Sequence, residues 1–108
     1  MRRRAALARL ARPIRSSSAL AIVVSDRDEP AGWLAAGRLH ARFALAATAL
    51  GLAHAHINQA VEVPDLRQAL AAALDLGGKR PDLVLRLGSG PALPMSLRRP
   101  VEAVIEPG

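Results

Sequence analysis

The segment 43–53 restricts the possible folds of this chain more than any other stretch. Its eleven residues are apolar or small apart from Thr48, so a helix formed there is apolar on every side. A helix of this kind has to be covered all round. Eleven residues are too few to cross a hydrocarbon core, which needs about 20. We therefore expect the central helix of a globular protein or a subunit interface, and no membrane span.

The composition supports a globular fold and excludes several classes of function. With 108 residues the chain forms one domain at most, and a hydrophobic fraction of 51% is too high for a disordered chain. Only 2% of the residues are aromatic, which leaves too few rings for the stacking platforms of single-strand nucleic-acid binders. The absence of cysteine excludes disulfides, thiolate metal sites, iron–sulfur clusters and cysteine nucleophiles.

The positive charge is confined to an N-terminal arm, which we define as residues 1–18. Residues 1–15 contain six arginines and no acidic residue, and because the whole chain also carries +6, the remainder is neutral. We expect the arm to be disordered or to form an amphipathic helix. No nucleic-acid partner is expected for the neutral body, and the alternative is that the arm alone tethers nucleic acid.

The body, residues 19–108, alternates strands and helices. The β-branched run 19–25 predicts a buried strand, and Pro30 begins a long helix that Gly51 ends. The other predicted elements are a short strand or extended loop at 53–59, a second helix from Pro64 to the Gly77 turn, a strand at 81–88, a proline-rich extended tail and a last turn or edge strand at 101–105. So small a sheet leaves open edges and an uncovered helix, so we expect the fold to need more chain or another subunit.

The sequence contains no complete catalytic or metal-binding motif. His54 and His56 project to one side of an extended segment, but with only His40 in addition they are too few for a closed zinc site. The serines lack the glycine-flanked turn that presents a nucleophile, and the Gly-Ser-Gly at 88–90 predicts a simple turn. We therefore assign no catalytic residue and no metal ligand.

Arg98 and Arg99 form the strongest candidate for ligand binding. Two guanidinium groups in an extended, proline-framed tail can present fork-shaped donors to a phosphate. Exposed arginine pairs are also common as solvated surface residues that contribute little. The pair by itself leaves both interpretations open.

Six features of the sequence, taken in order, resemble the C-terminal half of the nitroreductase superfamily. Within that superfamily they look most similar to the Acg-type FMN-binding oxidoreductases, and the resemblance covers residues 18–105. The features are WLAAG at 33–37, LAATALGL at 45–52, Asn58 with Gln59, Leu66 with Arg67, PDLVLRLG at 81–88 and Arg98-Arg99-Pro100.

The resemblance implies an α+β protein with a partial nitroreductase-like fold, made of a long buried central helix, a small mixed sheet and an extended C-terminal tail. It implies a homodimer that pairs through the central helices and holds FMN in a cleft between the subunits. Hydride would pass from NAD(P)H to the flavin and then to a small-molecule electron acceptor. Such an enzyme would be cytoplasmic.

The resemblance also implies the cofactor-binding residues. Arg98 would contact the FMN phosphate, with Arg99 beside it. Asn58 and Gln59 would lie near the isoalloxazine ring and supply hydrogen bonds.

Two departures from the family pattern favour an alternative. Ser96 stands where nitroreductases often have a basic residue two positions before the arginine of the tail. The N-terminal half of nitroreductases, which makes its own phosphate contacts, has no counterpart in residues 1–15. The chain would therefore be a C-terminal fragment or a shortened protein. The alternative is a non-catalytic dimerising module that has lost flavin binding.

Overall fold

A computed structural model describes residue 11 and residues 14–108 of the chain. Most of the arm, and with it the prediction of a disordered or helical arm, lies outside these residues. The described part is an α+β structure in which helices cover both faces of a small sheet. No helix in this part is long and apolar enough to cross a membrane.

The sheet has three strands, β1 (Ala19–Ser25), β2 (Ala53–His56) and β3 (Arg80–Gly88), in the order β1-β3-β2. β3 is antiparallel to both neighbours, so the expected mixed sheet is wrong for the described residues. The long connection after β1 returns the chain to the same end of the sheet, and β1 and β2 therefore run in the same direction. β3 enters between them from the opposite end and prevents a parallel pair.

Within residues 19–108, three α-helices connect and cover the strands, α1 (Pro30–Ala49), α2 (Gln59–Glu62) and α3 (Pro64–Ala73). Proline stands at the start of α1 and of α3, where its missing N–H costs no helical hydrogen bond. The predicted long helix is confirmed by α1. Gly51 follows that helix with a φ of +71°, a conformation that glycine adopts without strain.

Two helix boundaries differ from the prediction. Residues 59–62, where the extended segment was expected to end, form the one-turn helix α2. α3 ends before the Gly77 turn, because Asp75 already adopts a positive φ of 51°. The chain end at 101–105, expected as a last turn or an edge strand, contains a 3-10 turn at Val101–Ala103.

The helices pack on the sheet through two small apolar cores. Neighbouring residues of a strand point to opposite faces, so Val84 and Leu85 of β3 belong to different cores. Leu85 packs with Val23 of β1 and Ala36 of α1. Val84 packs with Ile57 on the other face, where α2 and α3 lie. α1 therefore contacts the sheet along one stripe.

Most of α1 is exposed in the single chain, so the cover expected for a buried central helix does not come from the described residues. Only Ala36 and Ala47 of this helix are buried. Leu34 and Leu45 of α1 are 67% and 73% exposed, and Leu50 just after it is 76% exposed. The physical reason is that a three-stranded sheet covers one side of a helix, and the other side faces away from it.

Candidate functional site

The predicted phosphate ligands Arg98 and Arg99 lie in the extended tail. Residues 89–108 are exposed and form neither a strand nor an α-helix. Within the described part of the chain, neither guanidinium group takes part in an ion pair or a hydrogen bond. Both side chains are therefore free to meet a ligand.

The side chain of Asn58 holds two strands together at the end of β2. Its Oδ1 accepts the backbone N–H of Val84 in β3 at 3.1 Å. Its Nδ2 lies 3.3 Å from Nδ1 of His56. The oxygen and the nitrogen of the amide therefore both have partners within the chain. The sequence pattern did not indicate this strand-joining role of Asn58.

The four predicted cofactor ligands do not meet in the single chain. Gln59 begins α2 and is exposed. Among the described residues, no hydrogen bond joins it or Asn58 to Arg98 or Arg99, and none of the four lines the three cavities described below.

All three histidines of the chain meet where α1 crosses β2. The ring centroid of His40 lies 5.0 Å from that of His56 and 6.2 Å from that of His54. Phe43, one turn further along α1, lies 6.2 Å from His54 in an edge-on contact. The shared side of His54 and His56 was predicted by strand alternation, whereas the approach of His40 was not.

The histidine cluster packs α1 against β2. Nε2 of His40 and Nδ1 of His54 are buried without a hydrogen-bond partner. Among the described residues, no group of three histidine or carboxylate side chains is arranged to hold a metal ion.

A cavity of about 370 Å³ lies at the base of the tail. It is lined in part by His54, by Arg86 of β3 and by the segment 88–91. Arg86 is exposed, and its guanidinium group forms no ion pair within the described part of the chain. The cavity is therefore electropositive on the side where the tail begins.

A second cavity, of about 310 Å³, lies under the start of α1. The hydroxyl of Ser25, which lines it, donates a hydrogen bond of 3.3 Å to the carbonyl of Arg27. Gly32 approaches the same carbonyl so closely that a Cβ there would lie 2.7 Å from the oxygen. The first turn of α1 therefore requires glycine at this position.

A third cavity, of about 360 Å³, lies between α1, α3 and β3. Its lining includes Trp33 and Gly37 of α1, Arg67 of α3, and Arg80 and Asp82 of β3. It opens beside the first residues of β3, because β2 pairs only with the last four residues of that strand.

A network of charged groups builds the wall of this third cavity. Arg80 forms an ion pair with Asp82, and its Nη1 lies 3.6 Å from Oδ1 of Asp28. The same oxygen of Asp28 accepts the indole N–H of Trp33 at 2.8 Å. Nε of Arg67 and Oδ2 of Asp82 are buried without a hydrogen-bond partner. No local sequence pattern indicates this network, because its members come from four separate segments.

Comparison of the chain with protein-family models, with curated proteins and with solved structures finds no match. The resemblance to nitroreductases therefore rests only on the six sequence features of this chain and on the order in which they occur.

Proposed function

We propose that this chain is an FMN-dependent NAD(P)H oxidoreductase of nitroreductase type, present as a C-terminal fragment or a shortened protein and acting as a cytoplasmic homodimer. The observation that carries the proposal is the ordered set of six features between residues 18 and 105, which lie on an α+β fold with a long helix covered on one side only. Function and cofactor follow from the resemblance, and the geometry of the chain supports them in three places.

The first support is the uncovered side of α1. Leu34 and Leu45, which are eleven residues apart and so lie on the same side of α1, leave large apolar side chains in water, and Leu50 just after the helix is exposed as well. Burial of each such side chain stabilises a structure by about 1.5–3 kcal/mol. A second copy of the chain, packed α1 against α1, would cover Leu34 and Leu45, and exposed apolar patches of this kind mark interaction surfaces.

The second support is the pair of arginines in the tail, which have no ion-pair partner among the described residues. Arg98 and Arg99 carry two guanidinium groups that no carboxylate of the described chain neutralises. Planar guanidinium groups bind phosphate through paired hydrogen bonds. The electropositive cavity that contains Arg86 lies at the base of the same tail and would extend a phosphate site.

The third support is the segment around Gln59. The amide of Asn58 is already bound to Val84 and His56, so Asn58 would orient the segment and Gln59, which is exposed, would supply the side-chain amide to the flavin. When bound, FMN would supply the hydride chemistry, and the protein would hold and orient it.

The proposal is tested by adding FMN to the purified chain. We expect saturable binding at micromolar FMN, followed by flavin fluorescence, and oxidation of NADPH when an acceptor such as a quinone is added. Riboflavin, which lacks the phosphate, is the matched control and should bind more weakly. A chain that binds no FMN at these concentrations removes the enzymatic function.

The alternative is a non-catalytic dimerising module. The internal use of the Asn58 amide and the serine at position 96 favour it, because both reduce the contacts left for flavin. Sedimentation would show a dimer in both cases, whereas a yellow protein with bound flavin would appear only for the oxidoreductase.

A further inference from the structure

We infer that the cavity between α1, α3 and β3 binds a neutral, planar ring that carries a carboxamide. The inference does not rest on the flavin proposal, because the four residues assigned to FMN do not line this cavity. It rests on two buried polar atoms without partners, Oδ2 of Asp82 and Nε of Arg67, which belong to two residues that line one cavity.

Asp82 offers a hydrogen-bond acceptor. Its side chain is 8% exposed, and the ion pair with Arg80 uses Oδ1 only. A buried oxygen that loses its water without gaining a partner costs about 1–3 kcal/mol, and more when it is charged. An N–H group of a ligand that binds Oδ2 would remove this cost.

Arg67 of α3, which lines the same cavity, offers a hydrogen-bond donor. Its Nε–H is buried on α3 and has no acceptor within the described residues. A carbonyl oxygen of a ligand would accept a hydrogen bond from this N–H, just as an N–H of the ligand would donate one to Asp82. A carboxamide carries both groups on one carbon, so one ligand group would satisfy both residues.

The charges around the cavity favour a neutral ligand. Arg67 and Arg80 contribute two positive charges, and Asp82 and the adjacent Asp28 contribute two negative charges. A charged ligand would leave one charge of this set uncompensated in a partly buried place, which is costly. A carboxamide satisfies both free atoms and adds no charge.

Trp33 supplies a flat wall for the ring. Its indole is held by the hydrogen bond to Asp28, and 52% of the residue remains exposed. Aromatic rings stack on such a face in an offset arrangement. A cavity of about 360 Å³ has room for one ring and its carboxamide.

The test is to titrate the full chain with nicotinamide and with nicotinate, the acid of the same ring. Trp33 is the chain's one tryptophan, so its fluorescence reports the cavity, and calorimetry gives the affinity. Nicotinamide should bind saturably and about tenfold more tightly than nicotinate, because the acid has no N–H for Asp82 and carries a like charge. Equal affinities, or no binding of nicotinamide, overturn the inference.

Asp82→Asn tests the assigned contact directly. The amide keeps an oxygen for Arg80 and places an NH₂ group where Oδ2 stands, so nicotinamide affinity should fall about tenfold and nicotinate affinity should rise. Asp26→Asn is the control, because this exposed carboxylate pairs with Lys79 outside the cavity and should change neither affinity. Unchanged nicotinamide binding by Asp82→Asn would contradict the site. Either result leaves the FMN measurement unaffected, because flavin fluorescence reports other residues.

Discussion

Asn58 Oδ1 accepts the backbone N–H of Val84 at 3.1 Å and so joins the end of β2 to the middle of β3 across 26 residues of sequence. The contact lies where β2 stops and β3 continues without a neighbouring strand on that side. A residue assigned to the flavin by resemblance therefore has a structural function in the fold of the single chain. The strand-joining role predicts a loss of stability when Asn58 is replaced, whereas a role in flavin binding alone does not.

Replacement of Asn58 by alanine should lower the free energy of unfolding by about 1–3 kcal/mol, because the buried N–H of Val84 loses its acceptor. Urea denaturation followed by circular dichroism measures the change. Gln59→Ala is the matched control: the next residue is exposed, and its loss should change stability by no more than about 0.5 kcal/mol. An Asn58→Ala variant as stable as the original chain would contradict the strand-joining role.

Two glycines of α1 should respond in opposite ways to alanine. Gly32→Ala places a Cβ 2.7 Å from the carbonyl oxygen of Arg27, so it should destabilise the protein by about 1–3 kcal/mol. Gly37→Ala meets no atom within 4 Å and should stabilise the helix by about 0.5–1 kcal/mol. Thermal unfolding of both variants checks the prediction, and a stabilising Gly32→Ala would show that the close approach does not exist.

Local sequence signals predicted the elements of this fold more successfully than their arrangement. Pro30 and Gly51 mark the ends of the long helix correctly, because helix initiation and termination depend on the residues at those positions. The all-antiparallel order β1-β3-β2 depends on which strand enters between the other two, a choice made over more than 50 residues. No local pattern carries that information.

The same distinction holds for the candidate sites. Strand alternation placed His54 and His56 on one side of β2, but His40 joins them only because α1 packs on that face of the sheet. The sequence around Asp82 and around Arg67 does not indicate a binding site. The fold indicates one, because both residues line the same cavity and each has a buried polar atom without a partner in the described chain. Burial is a property of the assembled fold.

Arg98→Ala should weaken FMN binding and leave riboflavin binding unchanged, because only FMN has the phosphate that the guanidinium group would bind. Loss of a charge-assisted hydrogen bond of about 1.5–3 kcal/mol corresponds to a decrease of about 10- to 150-fold in affinity. Arg27→Ala, which removes an exposed arginine far along the chain from the tail, is the control and should change neither affinity. Equal losses for FMN and riboflavin would show that Arg98 supports the fold of the tail and does not contact the phosphate.

Leu45→Glu should convert a homodimer into a monomer. The side chain is 73% exposed in the single chain, so the substitution leaves the monomer fold intact, as circular dichroism would show. In a dimer that pairs through α1, each copy would lose the burial of a leucine, worth about 1.5–3 kcal/mol, and would place a charge in the apolar interface. Sedimentation velocity over a dilution series measures the change.

The control for this substitution is Leu74→Glu, which alters a leucine that is 41% exposed just after α3, on the opposite face of the sheet from α1. It should leave the oligomeric state unchanged. If the flavin cleft forms between subunits, Leu45→Glu should also abolish FMN binding, and Leu74→Glu should not. Full FMN affinity in a monomeric Leu45→Glu variant would place the flavin within one chain. An original chain that sediments as a monomer at every concentration would contradict the homodimer, and the apolar side of α1 would then be covered by another partner.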